Sequence, residues 1–297
     1  MRVLISGIKG QLGRSVFNSR NKSFEILGLD KNNFDLQDFD QCKKVINEFR
    51  PDWIVNTAAY TAVDLAESNR KLAFSINALG VENLAKSISK TGGRLLQIST
   101  DFVFNGENKT PYKAEDVCKP INTYGESKLE GEKLALQYPG TLILRTSWLY
   151  SQYGRNFCLT MLKLHKKYNS LNLPLKVVSD QRGSPTSCKT LSDICWKFMD
   201  PNFAKKSNYQ IYHWSDKGII SWFDFSKAIG IIGKKLKLID EPALIIPIKS
   251  SDYITEAKRP KFSALDCTNT INFLNHEQEY WEKSLEDVMK SINKGDI

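Results

Sequence analysis

Residues 2–13 read Arg-Val-Leu-Ile-Ser-Gly-Ile-Lys-Gly-Gln-Leu-Gly, and this stretch decides the fold. The apolar run from Arg2 to Ser6 predicts a strand that ends at a glycine. Leu12, Val16 and Phe17 then share one helical face, so a helix opens inside the glycine run. Small residues at such a turn let backbone approach a pyrophosphate, and the first helical turn offers free N–H groups at the positive end of the helix dipole. The spacing is G-x-x-G-x-x-G rather than the commoner G-x-G-x-x-G, so the strand-turn-helix context gives it meaning. It points to a dinucleotide, cradled by Gly7, Gly10, Gln11, Leu12 and Gly13.

Outward from there, strand-like and helix-length segments alternate. A second apolar run, Phe24 to Leu29, ends at Asp30; helical spacing follows over 38–49, and Trp53 to Asn56 is a third strand. A helix over 69–90, a strand over 94–99, a helix over 124–136 and a strand over 141–145 complete the series. Strands separated by helices imply βαβ units, hence an α/β protein with a Rossmann-type doubly wound parallel sheet. Asp30 suits a ribose hydroxyl and favours NAD, whereas Lys31 beside it suits a 2′-phosphate and favours NADP; both stay open. Asp35 and Leu36 stand where the next loop faces the adenine, although a helix-capping carboxylate explains Asp35 equally well. Ala58, Ala59, Tyr60 and Thr61 follow the third strand at the carboxyl edge of the sheet and are further candidates for the cofactor wall.

The 297 residues carry 42 Lys+Arg against 33 Asp+Glu, a net charge of +9, with 41% hydrophobic and 25% charged residues. These are globular values and exclude a disordered or collagen-like chain. The cations are dispersed in pairs such as Lys43-Lys44, Lys166-Lys167, Lys205-Lys206 and Lys234-Lys235, without interleaved aromatics, so no nucleic-acid partner is expected. No apolar run reaches membrane-spanning length. Six scattered cysteines read as reduced thiols, and a cytoplasmic setting is expected. Residues 1–150 are expected to form the dinucleotide-binding domain, to which later segments are free to return. Residues 151–297, with helix-like pieces at 156–167, 222–235 and 281–292, are expected to form mainly a substrate-binding lobe.

Tyr124 and Lys128 lie four residues apart on one face of a predicted helix, and Thr100 ends the fourth strand. These are the parts needed to reduce a ketone: an acid for the carbonyl oxygen and a second donor to hold it. A phenol is a sluggish acid–base group at neutral pH, and an ammonium nearby is expected to lower its pKa. Lys128 can also hold the nicotinamide ribose, so Tyr124 and Lys128 belong to the cofactor site as well. The three histidines, His165, His213 and His276, form no ligand pattern, and His213 reads as buried and hydrogen-bonded.

Several longer strings narrow the reading. Asn56 to Glu67 (NTAAYTAVDLAE), Ser99 to Gly106 (STDFVFNG), Tyr124 to Lys133 (YGESKLEGEK), Arg145 to Tyr150 (RTSWLY), Asp180 to Thr186 (DQRGSPT) and Ala257 to Pro260 (AKRP) span nearly the whole chain. In this order they resemble the dTDP-4-dehydrorhamnose reductase family of extended short-chain dehydrogenases/reductases. The resemblance implies reduction of the C4 ketone of dTDP-4-dehydro-β-L-rhamnose by NADPH or NADH, the last step toward dTDP-L-rhamnose. It implies Tyr124 as proton donor, helped by Lys128 and Thr100, and Asp101 and Trp148 as sugar contacts. Asn156, Gln181 and Arg259 are its candidates for the nucleotide diphosphate. Phe102 stands where many relatives have tyrosine. Ser15 stands where some relatives have a metal-binding carboxylate, so no metal is expected, and the assembly is a monomer or homodimer. The alternatives are a nucleotide-sugar reductase or epimerase of other specificity, and a non-catalytic NADP-binding subunit resembling that of methionine adenosyltransferase.

Overall fold

The structure is a computed structural model and describes residues 1–201 and 209–292; the Lys205-Lys206 pair lies outside the described residues. The first half runs β1 (Arg2–Ser6), α1 (Gln11–Asn18), β2 (Glu25–Leu29), α2 (Phe39–Phe49), β3 (Trp53–Asn56), α3 (Val63–Ser68) and α4 (Arg70–Phe74). A π-helical turn (Ser75–Leu79) leads into α5 (Gly80–Ser89), β4 (Arg94–Thr100), α6 (Thr123–Ala135) and β5 (Thr141–Thr146). The second half adds β6 (Leu149–Tyr150), α7 (Phe157–Ser170), β7 (Leu175–Val178), β8 (Arg182–Gly183), β9 (Thr186–Ser187) and α8 (Cys188–Met199). It ends with β10 (Ile211–His213), β11 (Ile220–Ser221), α9 (Trp222–Lys235), β12 (Ile245–Ile248), α10 (Thr268–Leu274) and α11 (Trp281–Lys290).

The main sheet has the order β10-β5-β4-β3-β1-β2 with every pairing parallel. Its strands are apolar on both faces because helices cover both. Val3 and Ile5 of β1 pack with Leu12 and Val16 of α1 and with Leu191 and Ile194 of α8. Leu4, pointing the other way, packs with Ile46 of α2 and Leu84 and Ile88 of α5. The chain leaves β1 toward β2 and then returns to add β3 on the opposite side. That reversal opens a crevice beyond the carboxyl ends of the strands. Residues after position 150 also build this body: α8 lies on one face of the sheet, and β10 pairs with β5 as its edge strand. A separate apolar core gathers Leu159 and Leu162 of α7, Phe225 and Ile229 of α9, and Leu285 and Val288 of α11 around Leu175 and Val177 of β7.

Local signals explain most boundaries. Asp38 caps α2 by accepting from the Gln41 backbone N–H at 3.0 Å, and Asn156 caps α7 by accepting from Leu159 at 3.0 Å. The single helix expected over 69–90 is interrupted by the π turn. Its Asn77 side chain is buried, accepts from the Tyr60 N–H at 2.8 Å, and donates to the Tyr60 carbonyl and the Ser127 hydroxyl at 3.0 Å each. The widened turn thus pins the loop after β3 to α6. Among the described residues no helix is long and apolar enough to cross a membrane.

Candidate active site

A cavity of about 620 Å³ opens at the carboxyl ends of β1, β3, β4 and β5. At one end is the glycine turn. Gly7 has φ +76°, and a Cβ there would lie 2.8 Å from the Ala58 nitrogen. Gly10, Gln11 and Leu12 line the cavity where α1 begins without a side-chain cap. An uncapped helix start behind closely approached backbone fits a diphosphate. Gly13 stands behind the turn. It is absent from the cavity wall, and its Cβ would sit 2.2 Å from the Gly7 carbonyl oxygen, so its hydrogen lets α1 press against the turn.

Asp30 and Lys31 are on the wall, as are Ala58, Ala59 and Thr61. The Asp30 carboxylate is ion-paired with Lys9 and accepts from the Asn32 N–H at 2.8 Å, which holds its pKa below the usual range. Lys9 was not foreseen, because a lysine inside a glycine turn reads as solvated. Asp35, Leu36 and Tyr60 stand outside the cavity wall. The Asp35 carboxylate closes a local turn by accepting from the Gln37 N–H at 3.0 Å, Leu36 is buried in the α2–α5 core, and Tyr60 is held by Asn77.

Thr100, Tyr124 and Lys128 meet on the wall farther along the cavity. The Thr100 hydroxyl donates to Asp101 Oδ1 at 3.1 Å and accepts from the Phe102 N–H at 3.2 Å. The Phe102 ring meets the Tyr124 ring edge-on at 5.8 Å. Burial pushes the phenol up to about 12; Thr100 opposes that shift and the Asp101 charge adds to it. The expected lowering by Lys128 is therefore not what this arrangement gives. Lys128 is buried, its Nζ donates to the Ile98 carbonyl at 2.7 Å, and desolvation lowers it to about 8 against the pull of Glu132. At neutral pH the phenol keeps its proton and the amine its charge, which is the form an acid in a reduction needs. Asp101 is pushed up to about 7 by burial, opposed by the hydroxyls of Ser263 and Thr100.

One turn beyond Lys128, Glu132 forms a buried ion pair with Arg145 (Nη2–Oε2 2.7 Å) and accepts from the Ser99 hydroxyl at 2.5 Å. His213 Nδ1 lies 3.1 Å from the Tyr112 carbonyl and so carries the hydrogen, leaving Nε2 to accept from Arg145 at 3.3 Å. Burial and Arg145 push this imidazole down to about 3, so it is a neutral structural group.

Residues 1–294 match the family described as RmlD substrate binding domain. A dTDP-4-dehydrorhamnose reductase of Aggregatibacter actinomycetemcomitans is 37% identical over 97% of this chain and 98% of its own. The chain belongs to the dTDP-4-dehydrorhamnose reductase family. Among solved structures, the dTDP-4-dehydrorhamnose reductase of Clostridium acetobutylicum superposes with a TM-score of 0.89 at 36% identity, covering 98% of this chain and 99% of that one. The Bacillus anthracis enzyme, solved in complex with NADP, gives a TM-score of 0.89 at 35% identity with the same coverage.

Of the residues that the family resemblance pointed to for substrate, Asp101, Trp148 and Asn156 line the cavity, while Gln181 and Arg259 do not. Asn156 lies beside the glycine turn, where its amide donates to Gln11 Oε1 at 2.9 Å and to the Ser151 carbonyl at 2.8 Å. Gln181 is buried in the segment between β7 and β8. The Arg259 fork is engaged by Asp64, at 2.8 Å (Nη2–Oδ2) and 3.3 Å (Nη1–Oδ1), which fastens the AKRP stretch to α3. Glu67, one turn further on, accepts from the Thr123 N–H at 2.8 Å and hydroxyl at 3.0 Å, and Asn122 donates to the Lys258 carbonyl at 2.8 Å. Asp64 and Glu67 thus position the start of α6; both stood in the NTAAYTAVDLAE string, but a carboxylate on a short helix reads as solvated. Among the described residues no group of three or more His, Cys, Asp or Glu could hold a metal ion.

Proposed function

We propose that this chain reduces the C4 ketone of dTDP-4-dehydro-β-L-rhamnose to dTDP-L-rhamnose, using NADPH or NADH. The observation that carries the reading is the convergence of Thr100, Tyr124 and Lys128 on one cavity whose far end is the uncapped glycine turn. When bound, the reduced nicotinamide supplies hydride to the carbonyl carbon. Thr100 Oγ1 holds the carbonyl oxygen, and Tyr124 gives that oxygen its phenolic proton as charge grows on it. The sugar gains a secondary hydroxyl and Tyr124 is left as phenolate, stabilised by the Lys128 ammonium until a solvent proton replaces the one lost. Lys128 would also hold the nicotinamide ribose. The Lys9 ion pair takes up the Asp30 charge beside Lys31, which supports room for a 2′-phosphate and so NADPH.

Asp101 and Trp148 contact the sugar in this reading, while Asn156 and Arg259 act as holders of the loops around it. The sheet with α8 and β10 is the cofactor half, and the core of α7, α9 and α11 supports the substrate half. The partner in this reading is the dTDP-sugar, and a monomer or homodimer without nucleic acid is the assembly proposed with it. Six free cysteines support a cytoplasmic setting. An epimerase or a regulatory subunit is disfavoured, because relatives matched over nearly their whole length are named reductases.

The test mixes purified protein, NADPH and the dTDP-4-keto-6-deoxy-L-sugar and follows the reduced-nicotinamide absorbance. Stoichiometric oxidation is expected. Tyr124→Phe is expected to lower turnover by ~10²-fold or more with cofactor affinity retained. Sugar isomerisation without net oxidation, or an unimpaired Tyr124→Phe variant, would overturn the assignment.

A further inference from the structure

Trp148 combines three features that a passive wall residue does not need. It is a bulky residue in the left-handed region, at φ +46°, where side chains of its kind are rare and strained. Its indole lies flat on that of Trp222, with centroids 3.4 Å apart and planes within 6°. Such full overlap is disfavoured relative to offset stacking, so the surroundings impose it. The space that a side chain at position 183 would take is filled by the same indole, with a Gly183 Cβ only 2.8 Å from its Cε2 and Nε1.

The backbone beside Trp148 is fixed as well. The Ser147 hydroxyl donates to the Ser184 carbonyl at 2.7 Å, and the Trp148 carbonyl accepts from the Thr186 N–H at 3.2 Å. Trp222 is the first residue of α9, behind a capping box in which Ser221 and Asp224 satisfy each other's backbone N–H. Its ring also packs at 4.5 Å against Phe157 of α7. Trp148 lines the cavity and Trp222 does not. Trp222 therefore belongs to the second apolar core and touches the site only through its neighbour.

We infer that Trp222 is a positioning residue, stacking on Trp148 to hold that indole as a preformed flat platform for the apolar C–H face of the 6-deoxysugar. This rests on the reductase reading above. An aromatic face attracts the slightly positive hydrogens of a sugar, and a platform already in place loses no rotamer freedom on binding. Once the stack is removed, the strained Trp148 has an open side into which it relaxes.

The test compares Trp222→Ala, Trp222→Phe and the native chain in two assays. Calorimetry with dTDP-L-rhamnose reads binding without turnover, and steady-state kinetics with NADPH and the keto-sugar read the reaction. Trp222→Ala is expected to raise Kd and KM for the nucleotide sugar about tenfold while leaving NADPH affinity unchanged. Trp222→Phe, which keeps a flat ring, is expected to stay within about threefold of native. Two indoles in contact also give an exciton couplet in far-ultraviolet circular dichroism. It should vanish in both variants and change when dTDP-L-rhamnose is added to the native chain. Unchanged sugar affinity in Trp222→Ala, equal loss of NADPH and sugar affinity, or no rescue by phenylalanine would each overturn the inference. If the native chain bound dTDP-L-rhamnose but left NADPH unoxidised, the reductase reading would fall while the binding data still decided the role of Trp222.

Discussion

Replacing Glu132 with glutamine strands a guanidinium inside the protein. The two side chains are each only 2% exposed. Arg145 Nε and Nη2 reach both Glu132 oxygens at 2.7–3.2 Å, while its remaining contacts, the Ala114 carbonyl, Cys118 Sγ and His213 Nε2, are neutral. Removing one partner of such a pair costs about 3–5 kcal/mol, because the other charge stays buried. At roughly 2–4 °C per kcal/mol for a chain of this size, Tm should fall by roughly 6–20 °C. Arg145→Met should cost as much, but the two together should cost clearly less than their sum, since the double variant buries no lone charge. The assay is a thermal and urea double-mutant cycle at pH 7. It has a second channel in the active site: Glu132 holds the Lys128 pKa up, so its loss should move the alkaline limb of kcat/KM to lower pH. Single variants that cost under ~1 kcal/mol, or that add without coupling, would refute the reasoning about stability. An unmoved alkaline limb would refute the link to Lys128.

Gly13→Ala drives a methyl to 2.2 Å from the Gly7 carbonyl oxygen. It should destabilise the fold by about 1–3 kcal/mol and, by displacing the turn, weaken NADPH binding measured by fluorescence titration; unchanged affinity would remove the turn from the cofactor site. Asp101 has its pKa raised from 3.8 to about 7, so the folded state binds the proton more tightly than the unfolded chain. The resulting stabilisation is full below the unfolded pKa and is lost as pH rises through about 7. The Tm of Asp101→Asn relative to native should accordingly climb between pH 5 and pH 8, and a flat difference would show that Asp101 titrates normally.

The sheet was legible because buried parallel strands are written as unbroken apolar runs, and Val3 to Ile5, Ile54-Val55 and Leu142 to Leu144 are all nearly inaccessible. β10 was not, since three residues after a long excursion carry no period of their own and pair only because β5 offers an open edge. The helix bearing Tyr124 and Lys128 buries Ser127, Lys128 and Glu132, so its inward face is polar and only the spacing of chemical groups revealed it. Arg259 and Asp35 have internal partners that the sequence does not announce. A charged group that suits a ligand suits an internal partner equally, and Asp64 and the Gln37 N–H are within bonding reach of these two side chains. Trp222 escaped notice because its influence passes through another ring.

The late arrival of the sixth strand bears on how the polypeptide is made. All six residues of β5 are buried in the finished protein, yet its outer edge is covered by Ile211–His213. While a ribosome is still translating the intervening segment, that edge stands bare beside an unfinished core, the condition in which strands recruit the wrong neighbour. Cutting the chain near residue 150 would accordingly leave that flank of β5 unpaired.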